Sequence, residues 1–133
     1  MIFTDLVGII ADDLTCANDT TLQFHTKGAR TKILLDGEYS PNVKDVTEVW
    51  AISSESRNCS AEEAVKRVES AVKTFSDKFS FEYFYKKIDS TLRGHIAVET
   101  LKMLEILEYD AAIIIPAFPQ EGRITVGGYH LLK

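Results

Sequence analysis

An α/β fold with a mainly parallel sheet and flanking helices, in a three-layer Rossmann-like arrangement, is what this sequence predicts. Three observations carry that prediction. Short apolar runs alternate with segments of helical period along the 133 residues. Several of those runs are continuously apolar, as strands covered on both faces are. Polar and charged clusters follow the predicted strands, where parallel sheets collect their ligand-binding loops.

The elements follow in order. Residues 6–11 (LVGIIA) read as the first strand, stopped by Asp12 and Asp13. A helix over residues 17–27 should end at Gly28, a natural C-terminal cap. Residues 31–35 form the second strand, closed by Asp36-Gly37, and residues 38–45, with Pro41, read as a surface loop. Residues 47–52 (TEVWAI) are the third strand, with Trp50 in the core. Ser60 and Glu63 make a capping-box pattern. Behind it Ala61, Ala64, Val65, Val68, Ala71, Val72 and Phe75 recur at helical spacing, with Lys66, Arg67, Glu69 and Lys73 on the wet side. Residues 81–88 (FEYFYKKI) are the fourth strand, with Phe81, Tyr83 and Tyr85 alternating on a packed face. A helix over 95–107 should turn Leu101, Leu104 and Leu107 inward. Residues 111–115 (AAIII) read as a fifth buried strand stopped by Pro116, and residues 124–132 as the start of a sixth.

Composition narrows the function classes. A hydrophobic fraction of 45% and a charged fraction of 26% are those of an ordinary globular domain, and the length suits one domain. A net charge of -5 argues against nucleic-acid and anionic-membrane partners. No apolar run approaches the roughly 20 residues of a membrane helix. Cys16 and Cys59 are too few for a disulfide framework, so reduced thiols and a cytoplasmic location are expected. His25, His95 and His130 have no metal-ligand spacing, and no protein-held metal site is expected. The phosphate-loop pattern GxxxxGK[ST], the GxGxxG fingerprint and the GxSxG elbow are missing from the sequence.

The chemistry collects after strands one, three, four and five: Asp12-Asp13, Ser53 to Arg57, Lys86 to Gly94 and Pro116 to Arg123. Arg57, Lys86, Lys87, Arg93 and Arg123 make a local cationic lining inside an acidic protein. Arginine grips carboxylate or phosphate with two parallel hydrogen bonds, while Asp12, Asp13 and Asp89 accept from hydroxyls. Such a mixture suits a ligand carrying hydroxyls and a negative group. A plainer role stands beside each residue. Asp12 or Asp13 suits a helix cap, as do Thr15 and Asn18, and Ser90 or Thr91 would cap the helix near Gly94. Gly122 suits a turn. Lys86 and Lys87 point to opposite faces, and Lys87 is the better candidate for the site.

In order along the chain, ADDLTCAND (11–19), SSESR (53–57), KKIDSTLRG (86–94) and PAFPQEGRITVGG (116–128) resemble the motifs of the four-carbon acid sugar kinase family, which includes threonate, erythronate and 3-oxo-tetronate kinases. Cys16 stands where that pattern has Gly, and His95 where it has Asn. The resemblance implies a two-domain enzyme using ATP and Mg2+. This chain (1–133, partial) would be its N-terminal substrate-binding domain, with the nucleotide-binding domain elsewhere and no activity of the chain alone. Residues and resemblance together make Arg57, Lys87, Ser90, Arg93, Gly122 and Arg123 the substrate-binding set. Asp12, Asp13 or Asp89 would orient the acceptor hydroxyl or act as base. The expected partner is a small anionic sugar acid, with a homo-oligomer possible through an unpaired sheet edge.

Two alternatives belong to other classes. A phosphorelay receiver is also acidic and α/β, with an acid pair after strand one. It needs an acceptor Asp after strand three, where Ser53-Ser54 stands, and a Lys after strand five, where Pro116-Ala117 stands. A haloacid-dehalogenase-type phosphatase would want DxDx[TV], a spacing that Asp12-Asp13-Leu14-Thr15 lacks. A ligand-binding α/β module without catalysis of its own is the other alternative.

Overall fold

The computed structural model describes residues 6–35 and 45–133. Strands β1 (Val7–Ala11), β2 (Thr31–Leu34), β3 (Val49–Ser53) and β4 (Tyr83–Lys87) form one parallel sheet in the order β2-β3-β1-β4. Helices α1 (Leu14–Thr26), α2 (Ala61–Lys78) and α3 (Ile96–Leu107) cover it. Strand alternation sorts the core into two layers. Ile9, Ala11, Val49 and Ala51 pack against Cys16 and Ala17 of α1. Ile10, Leu34 and Trp50 pack on the other face against Val68, Val72 and Phe75 of α2 and Met103 of α3. The three-layer α/β arrangement is therefore as the sequence predicts.

The second layer is held by aromatic packing. Phe75 meets Phe81 at 5.0 Å and Phe79 at 5.9 Å between ring centroids, and Trp50 meets Phe79 at 4.6 Å. Gly8 of β1 makes room for this, because a Cβ there would come within 3.0 Å of the Phe81 ring. Truncating Phe75 to Ala would empty the centre of the layer, at a cost of about 3–5 kcal/mol.

Local signals are answered unevenly. Ser60 caps α2, its side chain accepting from the Glu63 amide; the Glu63 carboxylate pairs with Arg67 at 2.9 Å. Helix α1 begins at Leu14, three residues ahead of the expectation, because Asp13 caps it by accepting from the Cys16 amide at 2.6 Å. Neither Ser90 nor Thr91 caps α3; His95 holds that position without a side-chain bond to the helix end. Leu101 is exposed, and Met103 and Glu99 are the buried residues of α3. Tyr83 and Tyr85 are exposed as well, on the thinly covered α1 side, while Phe84 packs on the core. The surface loop expected at 38–45 lies, up to residue 44, outside the described residues.

The largest departure is at 111–115. This apolar run does not join the sheet: Ile113 is 90% exposed, and among the described residues β4 has no strand partner on its outer edge. Between that edge, α3 and the run lies a groove of about 550 Å³, lined by Tyr83, Tyr85, Met103, Leu107, Ile113 and Ile115 among others. Among the described residues the run makes no ladder bonds to β4. The expected sixth strand is instead an antiparallel hairpin of β5 (Arg123–Val126) and β6 (Tyr129–Leu132), separate from the main sheet.

Candidate functional site at the carboxyl edge of the sheet

Central strand β1 decides where the site forms. Its chain leaves toward α1 on one face, while its neighbours β3 and β4 lead to α2 and α3 on the other. Loops diverging from adjacent parallel strands leave a crevice at their carboxyl ends. Asp12 and Asp13 enter that crevice from β1, Arg57 from the loop after β3, and Asp89 and Arg93 from the loop after β4.

The β3 loop is tied to β1 by its backbone. Ser54 donates to the Ala11 carbonyl through its amide (2.8 Å) and its hydroxyl (2.9 Å), and the amides of Ser56 and Arg57 donate to the Asp12 carbonyl at 3.0 and 3.3 Å. The Ser54 and Ser56 hydroxyls also bond each other at 2.9 Å. The turn is completed by Glu55 in the left-handed region. Arg57 is thereby aimed at Asp12, donating through Nε to Oδ2 (2.9 Å) and through its second terminal nitrogen to Oδ1 (2.8 Å), a two-pronged grip. The same guanidinium donates to Asp13 Oδ2 and to Cys16 Sγ (3.0 Å), and it lies 4.0 Å from Asp89 Oδ1. These bonds, the one to Asp12 foremost, hold Arg57 even more firmly protonated than a free arginine.

Asp89 organises the β4 loop. It accepts from the Thr91 amide (3.2 Å) and hydroxyl, from the Arg93 amide (3.4 Å), and from the Arg93 guanidinium at 2.9 and 3.0 Å. Chiefly through Arg93, and against the opposing effect of burial, its carboxyl is held well below the usual carboxylate range. Asp89 is therefore a firm anion and a weak base, suited to orienting groups more than to taking a proton. Arg93 itself is largely exposed, its side chain 64% accessible, so its outer surface can meet a ligand. Gly94 closes the loop at a φ of +90°, and a Cβ there would lie 3.3 Å from Asp12 Oδ2 and 3.7 Å from the Arg57 Cα. Positive φ and close approach both demand glycine here.

The consecutive lysines separate as alternation requires. Lys87 lies on the α1 face, where its charge acts on Cys16, and it donates to the Ile88 carbonyl at 2.6 Å. Lys86 turns to the other face and pairs with Glu99 of α3. Burial pushes the Cys16 thiol up despite Lys87 and Arg57, which makes it a poor nucleophile.

Not every expected residue is drawn in. Gly122, left-handed at φ +70°, belongs to the turn before β5, and Arg123 donates to Glu121 of that turn, at 3.0 Å for the carboxylate. The hairpin reaches the site loop elsewhere: His130 Nε2 lies 2.7 Å from the Ser90 carbonyl, so that nitrogen must donate. His95 Nε2 similarly meets the Cys59 carbonyl at 2.6 Å, joining the loops after β3 and β4. Ser54, Ser56, Gly94, His95 and His130 thus build the site without having been singled out as site residues. Ser54 and Ser56 lie within SSESR and Gly94 within KKIDSTLRG, which were the available signal; His95 and His130 lie just past the motifs.

Asp12, Asp13 and Cys16 offer ligand atoms within 4.8 Å of one another. Arg57 already supplies the cation among them, so these residues do not fit a resident metal ion in this arrangement.

A family model for a sugar-binding N-terminal domain matches residues 7–133. The D-erythronate kinase of Heliobacterium modesticaldum is 41% identical over 95% of this chain and 29% of its own length. The D-threonate kinase of Salmonella typhimurium is 37% identical over 94% of this chain and 29% of its own. A solved domain of unknown function from Bordetella bronchiseptica, a domain-swapped dimer with bound citrate, is 34% identical. It superposes with a TM-score of 0.85 over 95% of this chain and 32% of its own. The chain spans under a third of each of these relatives.

Proposed function

The chain belongs to the family of sugar-binding N-terminal domains, and from that premise we propose that it forms the sugar-acid-binding part of a kinase for four-carbon sugar acids. The kinase would phosphorylate an acceptor hydroxyl at the expense of ATP. The observation that carries the proposal is the crevice at the end of β1. There Asp12, Asp13 and Asp89 stand beside Arg57, Arg93 and Lys87, all within motifs expected of that enzyme class. The exposed outer side of Arg93 suits the substrate carboxylate, and the carboxylates suit its hydroxyls. The bound citrate of the Bordetella neighbour is itself a small hydroxylated polycarboxylate.

Asp13, the least buried of the three acids, has the best access to an acceptor hydroxyl, while Asp12 and Arg57 hold its surroundings rigid. ATP and Mg2+ supply the phosphoryl group and neutralise its charge in the complete enzyme. Both would be held by residues outside this chain, and the chain's own task is to bind, orient and exclude water. The receiver reading is disfavoured by the strand order, since that fold runs β2-β1-β3 and here β3 separates β2 from β1. A cytoplasmic setting fits the free thiols of Cys16 and Cys59, and a homo-oligomer fits the unpaired edge of β4.

Calorimetry with D-threonate, D-erythronate and 3-oxo-tetronates tests the reading. Saturable binding of at least one is expected, weakened in Arg93→Ala. Heat from none of them would overturn it.

A further inference from the structure

Lys86 turns away from the crevice toward Glu99, and the two are among the most deeply buried ions of the described residues. Lys86 Nζ lies 2.7 Å from Glu99 Oε2, with side chains only 10% and 1% exposed. Lys86 also donates to the Lys87 carbonyl at 3.2 Å. The second Glu99 oxygen is buried with no partner. Stability alone is a poor reason for such a pair. Both ions are desolvated, one lone pair goes unanswered, and apolar residues of the same size commonly hold a fold as well or better.

Its place gives a better reason. Lys86 sits at the end of β4, and Glu99 lies in the first turn of α3, its amide bonded to the His95 carbonyl. Between them runs the loop that carries Asp89, Arg93 and Gly94. That loop contains a non-glycine left-handed residue, Leu92 at φ +61°, so it does not keep its shape by local preference. Among the described residues, strand β4 is held to the sheet on one side only, by β1. An ion pair across the base of the loop fixes the distance between its two ends.

We propose that Lys86 and Glu99 are positioning residues, a buried clasp that sets the geometry of the Asp89–Arg93 loop and so the sugar-acid affinity of the site. The second half of this statement rests on the proposed function; the first does not. The test compares wild type with Lys86→Met/Glu99→Leu, which replaces both ions by apolar groups, and with Glu99→Gln, which keeps the shape should the double variant fail to fold. Three readouts are taken: urea midpoint, hydrogen exchange at the Thr91 and Arg93 amides, and calorimetric affinity for D-threonate and D-erythronate.

The double variant should keep its urea midpoint, exchange these two amides roughly tenfold faster and bind roughly tenfold more weakly. Unchanged exchange with unchanged affinity would overturn the clasp, since a merely structural pair moves only the midpoint. Faster exchange in a wild-type background that binds no sugar acid would uphold the clasp and sink the functional reading. Unchanged exchange in that background would sink both.

Discussion

Replacing Arg57 by Met removes the cation around which the β1 loop is built. Asp12 then loses both prongs of its grip, at 2.8 and 2.9 Å, while its side chain remains 3% exposed. Asp13 loses its partner, and Asp89 loses the positive charge 4.0 Å away. Breaking a buried pair by deleting one partner costs about 3–5 kcal/mol, because the other charge stays desolvated. Arg57 keeps some solvent contact and Asp13 can turn outward, so about 3 kcal/mol is the appropriate end of that range. At a urea slope of about 2 kcal/mol per molar, the unfolding midpoint should fall by roughly 1.5 M. Adding Asp12→Asn removes the stranded charge, so the double variant should regain at least about 1 kcal/mol over the sum of the single losses. Urea melts of the single and double variants read both. A midpoint equal to that of wild type, or strictly additive losses, would refute the idea that Arg57 holds these acids in place.

Three further outcomes follow from the geometry. Gly94→Ala places a side chain at φ +90° and 3.3 Å from Asp12 Oδ2, so it should cost about 1–2 kcal/mol in urea melts and weaken sugar-acid binding in calorimetry. Asp89 has a lowered folded pKa, so its stabilising contribution is complete above the unfolded value of about 3.9 and is lost as the pH falls through the folded one. The urea midpoint of Asp89→Asn should therefore drop less than that of wild type on going from about pH 5 to pH 3, by a modest margin because Arg93 is exposed. Wild-type protein should self-associate with rising concentration in sedimentation, and Ile113→Lys, which charges the exposed run beside the free β4 edge, should shift it toward monomer; a wild-type monomer throughout would count against that surface.

What was legible in the sequence depended on how local the cause was. The continuous run of β1 and the helical stripe of α2 answer to short-range patterns, and both stand where the sequence put them. The same rule misreads 111–115, because five apolar residues specify a buried strand only if a partner edge bonds to them, and here none does. Leu101 failed for a related reason: the stripe of α3 is set by what α2 and β4 offer, and they take Met103 and Glu99 instead. At the site, the residue types and their gathering on one edge were readable. The grip of Arg57 on Asp12 was not, since it depends on the register of β3 against β1 forty-odd residues away. A buried glutamate in a helix carries no signal at all in sequence, where it looks like any surface acid.

Adjacent lysines on β4 make the protein unusually sensitive to phase. The strand is indexed against β1 by the pairs Ile10–Lys86 and Ala11–Lys87. Slipping it by one residue would exchange the two ammonium groups between the faces of the sheet, taking Lys86 away from Glu99 and Lys87 away from the crevice. One hydrogen-bond ladder therefore decides at a stroke which cation faces the crevice and which one stays sealed inside. A single-residue insertion or deletion in β4 should undo both placements together, although both lysines would still be present.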